Sequence, residues 1–263
     1  METSYGGFIG NEDARAFSSG ADLGYLLGLL EAGDEARLTE YLKTGQRLFL
    51  RMKYLPVPVV AAVHGITLGG GCEIALHADT IVAHSETRMG LPEVRVGIIP
   101  GWGGTTQMLL RSFANSQIRG PIGHAGAAFD TILAGFVSGS ALEAKEAGYL
   151  RPDDQIVMHR SQLLDCAKEK AIALREGYVA PEPSVLPAMG LSGLRGLLAS
   201  LHDELKQGPV RIAGLQPAPM RTALRARAWS LDQDDVAGGP GLAAAGAVQL
   251  LSQEGLTWRG SVK

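Results

Sequence analysis

From Asp34 to Met52, apolar side chains recur at Leu38, Tyr41, Leu42, Leu48, Phe49 and Met52, a spacing that keeps them on one face of a helix. Asp34 stands where an N-cap carboxylate would take the first free N–H groups, and Pro56 and Pro58 end the pattern. Val57 and the run 59–63 are apolar without alternation, which predicts a strand buried on both faces. Residues 65–71 read as a loop, Cys72 to Ala78 as the start of a short helix, and Thr80 to Ala83 as another strand. Phe8-Ile9-Gly10 reads as the end of an earlier strand. Further on, a helix starts near Thr105, Ser140 caps a helix stopped by Gly148, 156–158 resembles a strand, and 162–175 a helix. Buried strand, glycine loop and helix N-terminus in that order predict α/β architecture.

After Val179 the text changes. Ala-Pro-Glu-Pro at 180–183 reads as a linker, 191–205 as a helix, and from Gln207 onward no sustained period remains. The chain is therefore divided into a core, residues 1–178, and a C-terminal linker, helix and weakly patterned tail, residues 179–263.

Composition narrows the function classes. Of 263 residues 46% are hydrophobic and 19% charged, enough for a sizeable core. Lys plus Arg number 24 against 27 Asp plus Glu, so the whole chain lacks the basic excess of a nucleic-acid binder. Cys72 and Cys166 are the two cysteines, with neither a CxxC pair nor a Cys/His cluster, which argues against a zinc site and for a reduced, cytoplasmic protein. The N-terminus has an early acid and no base before Arg15, unlike a signal peptide, and no apolar stretch is long enough to span a membrane. Glycine, at 35 residues, is about twice its usual ~7% share without a collagen period, so its jobs are local turns and close approaches.

Several motifs fail on inspection. Gly101-Trp102-Gly103-Gly104-Thr105-Thr106 lacks the third glycine of a dinucleotide fingerprint and the lysine of a phosphate loop. Gly190-Leu191-Ser192-Gly193 has the wrong spacing for a nucleophile elbow. Glu73 and His77, four apart, read as a helix-surface pair rather than metal ligands, and His64 as a turn or core histidine. What survives is a pair of carboxylates beside unusual backbone. Gly69-Gly70-Gly71 leads into a helix whose first turn carries Glu73, and one strand later Pro92 constrains a turn carrying Glu93. Free N–H groups at a helix start suit developing negative charge. On pattern alone, a second reading stands level: Glu73 steadies the helix dipole and Glu93 is a solvated loop acid.

The segment from Pro58 through Gly69-Gly70-Gly71-Cys72-Glu73 resembles the signature of the crotonase, or enoyl-CoA hydratase/isomerase, superfamily. So do Phe17-Ser18-Ser19-Gly20-Ala21-Asp22-Leu23 before it, and Leu91-Pro92-Glu93 with Ile99-Pro100-Gly101-Trp102-Gly103-Gly104-Thr105 after it. The resemblance covers roughly residues 5–178. Met52 to Pro58, and Gly148-Tyr149-Leu150-Arg151-Pro152 with Asp154, are similar to the branch in which the hydratase is fused to a bacterial 3-hydroxyacyl-CoA dehydrogenase. It implies a crotonase-like (ββα)n superhelix with C-terminal helices, and addition of water to a 2-enoyl-CoA in fatty-acid β-oxidation. Glu73 and Glu93 match the catalytic glutamates, and the N–H groups of Ala21 and Gly70 match the oxyanion hole. Asp22, Leu23, Gly69, Pro92, Gly101 and Trp102 fall where substrate is lined. The resemblance calls for no metal and no separate cofactor, coenzyme A being part of the acyl-CoA thioester substrate. It implies a homo-oligomer or a place in a β-oxidation complex.

Three departures qualify these expectations. The family pattern has a hairpin region, a helix and a strand ahead of the Phe8 strand, so the fold is expected to be N-terminally incomplete. After about Gly208 the familiar helical ending is replaced by Ala/Arg/Gly/Pro-rich text. Trp102 sits where a small residue is usual, and packing beneath the loop is favoured over narrowing of the acyl pocket. The alternatives are double-bond isomerisation or other crotonase chemistry on the same oxyanion hole, and a non-catalytic fragment or interaction subunit.

Overall fold

Strands come in pairs along the chain in the computed structural model, which describes residues 6–183. β1 (Gly7–Ile9) is followed by β2 (Ala16–Ser18), β3 (Val59–Val63) by β4 (Ile66–Leu68), and β5 (Thr80–His84) by β6 (Arg88–Gly90). The first member of each pair joins β7 (Gln155–Val157) in a parallel sheet of order β1-β3-β5-β7, and the second members form a parallel sheet β2-β4-β6. Parallel neighbours need a crossover, and helices supply it. α1 (Leu23–Glu31) and α2 (Glu35–Lys53) connect β2 to β3, and α3 (Gly70–His77) connects β4 to β5. α4 (Gly104–Phe113), α5 (Gly120–Leu133) and α6 (Ala141–Glu146) lead from β6 to β7, and α7 (Leu163–Arg175) follows. This is the repeating step of a ββα coil.

The described residues fall into two units, one comprising residues 6–26 and 41–183 and the other including Leu27–Glu40. In the second, the described part is Leu27–Glu40, where Asp34 Oδ1 accepts the Arg37 N–H at 3.1 Å as the expected cap of α2. The expected helix at 191–205 and the tail after Gly208 lie outside the described residues.

In the first unit all five residues of β3 are buried, because β1 and β5 flank the strand and helices cover its faces. Val63, Leu76, Ile81, Met89, Leu91 and Tyr149 belong to one apolar cluster, and Val60, Val82, Leu163 and Ala171 to another beneath α7. Each buried Val, Leu or Ile contributes about 1.5–3 kcal/mol to holding the strands beneath the site. A buried polar joint ties the sheet to the helices. Asp154 accepts Ile81 N–H at 2.8 Å and Thr80 Oγ–H at 3.1 Å, and lies 3.5 Å from Arg111 Nη1.

Four local expectations are corrected. Residues 66–68 are a strand, not loop, because β4 gains partners on both sides from β2 and β6. α3 starts at Gly70 rather than Cys72. α1 and α5 were not anticipated. Gly24 and Gly28 weaken the helical signal of α1, yet Asp22 Oδ1 caps it on Tyr25 N–H at 3.0 Å. Pro121 opens α5 at a position where its missing N–H does no harm, and the glycines at 123 and 126 hide the period. Among the described residues no helix is long and apolar enough to cross a membrane.

Candidate active site

Strands β4 and β6 end side by side, Gly69 N–H donating to Gly90 C=O at 3.0 Å, and each is followed by one of the two glutamates. The chain leaves β4 through Gly69, whose φ of 54° and ψ of −127° exclude other residues. α3 then packs so tightly on β2 that a side chain at Gly71 would collide with Ser18 C=O. Glycine is therefore required for the helix start to lie against the Ser18–Ala21 segment. A Cβ built on Gly70 would stand 3.6 Å from Ala21 N, so the Ala21 and Gly70 backbones share one small space. No carbonyl among the described residues accepts a hydrogen bond from either N–H.

Glu73, on the first turn of α3, is 2% exposed. Its Oε1 accepts two backbone N–H groups, from Trp102 and Gly104, both at 2.8 Å. Burial raises its pKa, and those two donors oppose part of the rise. A Cβ on Gly104 would stand 3.0 Å from both Glu73 Oε1 and Pro100 Cβ, so any larger residue there requires one of them to give way. Beneath Glu73, His77 Nδ1 bonds the Glu73 carbonyl at 2.7 Å and its ring is buried, so the expected surface pair of Glu73 and His77 is an interior one. The burial of α3 between the sheet and α4 explains the difference.

Glu93 opens a 3₁₀ turn, Glu93–Val96, behind Pro92 and is 8% exposed, which contradicts the solvated loop acid. Its Oε1 reaches toward Gly69, and its Oε2 is sealed from solvent with no hydrogen-bond partner. Burial pushes its pKa up to about 7, its own backbone N–H opposes this, and the Glu73 carboxylate adds to the rise. Two carboxylates of unlike environment thus sit beside two unclaimed N–H groups. Such a pair can take and give protons separately while the N–H groups stabilise an oxyanion.

The other anticipated residues are placed less uniformly. Gly69 and Trp102 line this space, the indole of Trp102 lying against Gly70. Pro92 sets the entry to the Glu93 turn. Gly101 accepts Gln46 Nε2–H on its carbonyl at 2.7 Å, which ties the loop to α2. Asp22 is occupied as the cap of α1, and Leu23 is 51% exposed at the start of that helix. Gly104 belongs to the glycine run that the resemblance marked, whereas Gly45 went unnoticed as a contributor. Gly45, in the interior of α2, costs helix stability, and that cost was the readable signal of a close approach. Among the described residues, no group of His, Cys, Asp and Glu is arranged to hold a metal ion.

Known proteins share this arrangement of the chain. The family model for enoyl-CoA hydratase/isomerase matches residues 2–162. A probable 3-hydroxyacyl-CoA dehydrogenase of Bacillus subtilis is 36% identical over 200 residues, 75% of this chain and 25% of that protein. A putative fatty acid oxidation complex trifunctional enzyme of Rickettsia felis is 48% identical over 96 residues, 36% of this chain and 13% of its own length. The chain thus spans a quarter or less of these relatives. Among solved structures, enoyl-CoA hydratase from Bacillus anthracis superposes with a TM-score of 0.51 at 31% identity, covering 62% of this chain and 56% of that one. DspI of Pseudomonas aeruginosa gives 0.54 at 26%, covering 66% and 59%. The parallel two-sheet fold matches those structures, and the chain belongs to the enoyl-CoA hydratase/isomerase, or crotonase, family.

Proposed function

We propose that this chain carries an enoyl-CoA hydratase site, adding water across the 2,3 double bond of a 2-enoyl-CoA to give the 3-hydroxyacyl-CoA. The observation that carries the reading is the unequal glutamate pair, Glu73 bound by two backbone donors and Glu93 buried with one oxygen unpartnered. In this reading the thioester carbonyl oxygen takes the Ala21 and Gly70 N–H groups. Charge that builds on that oxygen when C3 is attacked is stabilised there, by about 3 kcal/mol per donor.

Water sits between the two carboxyls. Its oxygen bonds to C3 as ionised Glu73 takes its proton, and neutral Glu93 gives a proton to C2. One water is added, one proton passes between the glutamates to restore them, and the reaction is redox-neutral. The division matches the environments: the group with two N–H donors is the better anion, and the group raised to about 7 is the better acid at neutral pH. The names of the relatives support a place in fatty-acid β-oxidation as the hydratase part of a larger assembly.

Incubating the folded chain with crotonyl-CoA tests the reading. Loss of the absorbance of the conjugated thioester, with 3-hydroxybutyryl-CoA as product, is expected. Absence of turnover in wild-type protein overturns it. Turnover of a 3-enoyl-CoA to the 2-enoyl isomer without hydration would move the chain to the isomerase side of the family.

A further inference from the structure

Trp102 holds a position that its backbone role does not explain. Its N–H fixes Glu73, while its indole runs from α2 to the start of α3. A Cβ built on Gly70 would stand 2.5 Å from Cζ3 and 2.7 Å from Cε3 of the indole, so the six-membered ring rests on the Gly70 backbone. At the other edge, a Cβ on Gly45 would collide with Nε1 of the same ring. Two glycines, one on each side, make room for one indole. Tyr41 and Phe49 close on it from α2, with ring centroids at 5.3 and 5.6 Å, and Tyr25 extends the aromatic row beyond Tyr41 at 5.5 Å. Nε1 is buried with no hydrogen-bond partner, so shape and not a polar tether sets the position of the ring.

The place of this ring relative to the reacting carbons follows from the hydratase reading, on which the inference rests. Glu73 serves C3, and Glu73 Oε1 is 2.8 Å from the backbone nitrogen of Trp102. Trp102 therefore begins beside the carboxylate that serves C3. The indole also touches Gly70, whose N–H would hold the thioester oxygen. We propose that the Trp102 indole, wedged between Gly45 and Gly70, is the wall that ends the acyl channel and restricts the site to short-chain acyl-CoA thioesters. A ring gripped by two backbones is a fixed wall, and a chain extended past it meets the Tyr41–Phe49 face of α2.

Calorimetric titration of the full chain with butyryl-CoA and dodecanoyl-CoA, both unreactive, reads the wall independently of chemistry. Wild-type protein binds butyryl-CoA at least ~10-fold more tightly, the discrimination a filled apolar pocket gives against added methylenes. In Trp102→Ala the ratio shifts toward dodecanoyl-CoA by ~10-fold or more, and in Trp102→Phe, which keeps an aromatic plug, by less. Equal or tighter dodecanoyl-CoA binding by wild type, or a ratio that neither variant moves, overturns the proposal. The phenylalanine variant carries the test if the alanine variant does not fold. Crotonyl-CoA hydration by the same wild-type preparation separates the two readings. Selective binding without hydration removes the hydratase and leaves the wall; hydration without selectivity does the reverse; no acyl-CoA binding removes both.

Discussion

The start of α3 and the turn behind Pro92 each present one buried glutamate, but they treat it in opposite ways. α3 places Glu73 under two backbone N–H groups that Gly103-Gly104 brings within 2.8 Å. The turn behind Pro92 gives Glu93 burial without comparable donors and leaves Oε2 alone. Both burials raise a carboxyl pKa, and only in Glu73 do two neighbouring donors oppose part of the rise. Backbone geometry thus differentiates two chemically identical side chains: glycine supplies donors in one place and a proline-led turn withholds them in the other.

If the two glutamates divide acid and base work, their amide variants must differ. Glu93→Gln removes the proposed proton donor to C2, and kcat for crotonyl-CoA hydration falls about 10³–10⁴-fold with KM little changed. Glu73→Gln keeps an oxygen for the Trp102 and Gly104 donors and loses only the proton acceptor, so the fall is smaller, about 10²-fold. Equal losses measured in steady state would erase the distinction.

Stability supplies a second contrast, with its sign set by the raised pKa. An unfolded glutamate titrates near 4.5 and the folded Glu93 near 7. Its stabilising contribution is whole below pH 4.5 and is lost as pH rises through about 7, where the buried group must ionise with Oε2 unpartnered. At pH 8, Glu93→Gln therefore unfolds at higher urea, by on the order of 2 kcal/mol, and the gain vanishes at pH 4. A variant no more stable than wild type at pH 8 would show that Glu93 carries no such burden.

The smallest effect concerns the donors. Gly104→Ala pushes a methyl group to within 3.0 Å of Glu73 Oε1, and the carboxylate must shift away from Trp102 N–H. A misplacement of under an ångström costs about 10-fold in kcat. Glu93→Gln loses activity as before in the Gly104→Ala background, which checks that the effect runs through Glu73.

Much of this was readable because the signals are local. The unbroken run 59–63 announces β3 without knowledge of its neighbours, and Ser140 accepts Glu143 N–H at 3.2 Å as its position before α6 suggested. The glycines before Glu73 and the proline before Glu93 marked two special turns, and the resemblance linked them to Ala21. The failures are matters of long-range packing. β4 is three residues of unremarkable sequence that become a strand only between β2 and β6. The spacing of Glu73 and His77 fits an exposed helix face equally well, and only α4 and the sheet make it an interior one. Trp102 was expected at the site from the resemblance, but its packing partners were not. Its indole leans on Gly45, distant in sequence, and no local pattern couples the two.

The pH dependence of kcat/KM for crotonyl-CoA, measured from pH 5 to 9 in wild type, tests most directly whether Glu93 works as a buried acid. Hydration requires Glu93 neutral, so kcat/KM is expected to fall as pH rises through about 7, one decade per pH unit above it. A rate flat from pH 6 to 9 would mean that the protonated form of Glu93 is not the acid, and the division of labour between the two glutamates would be contradicted.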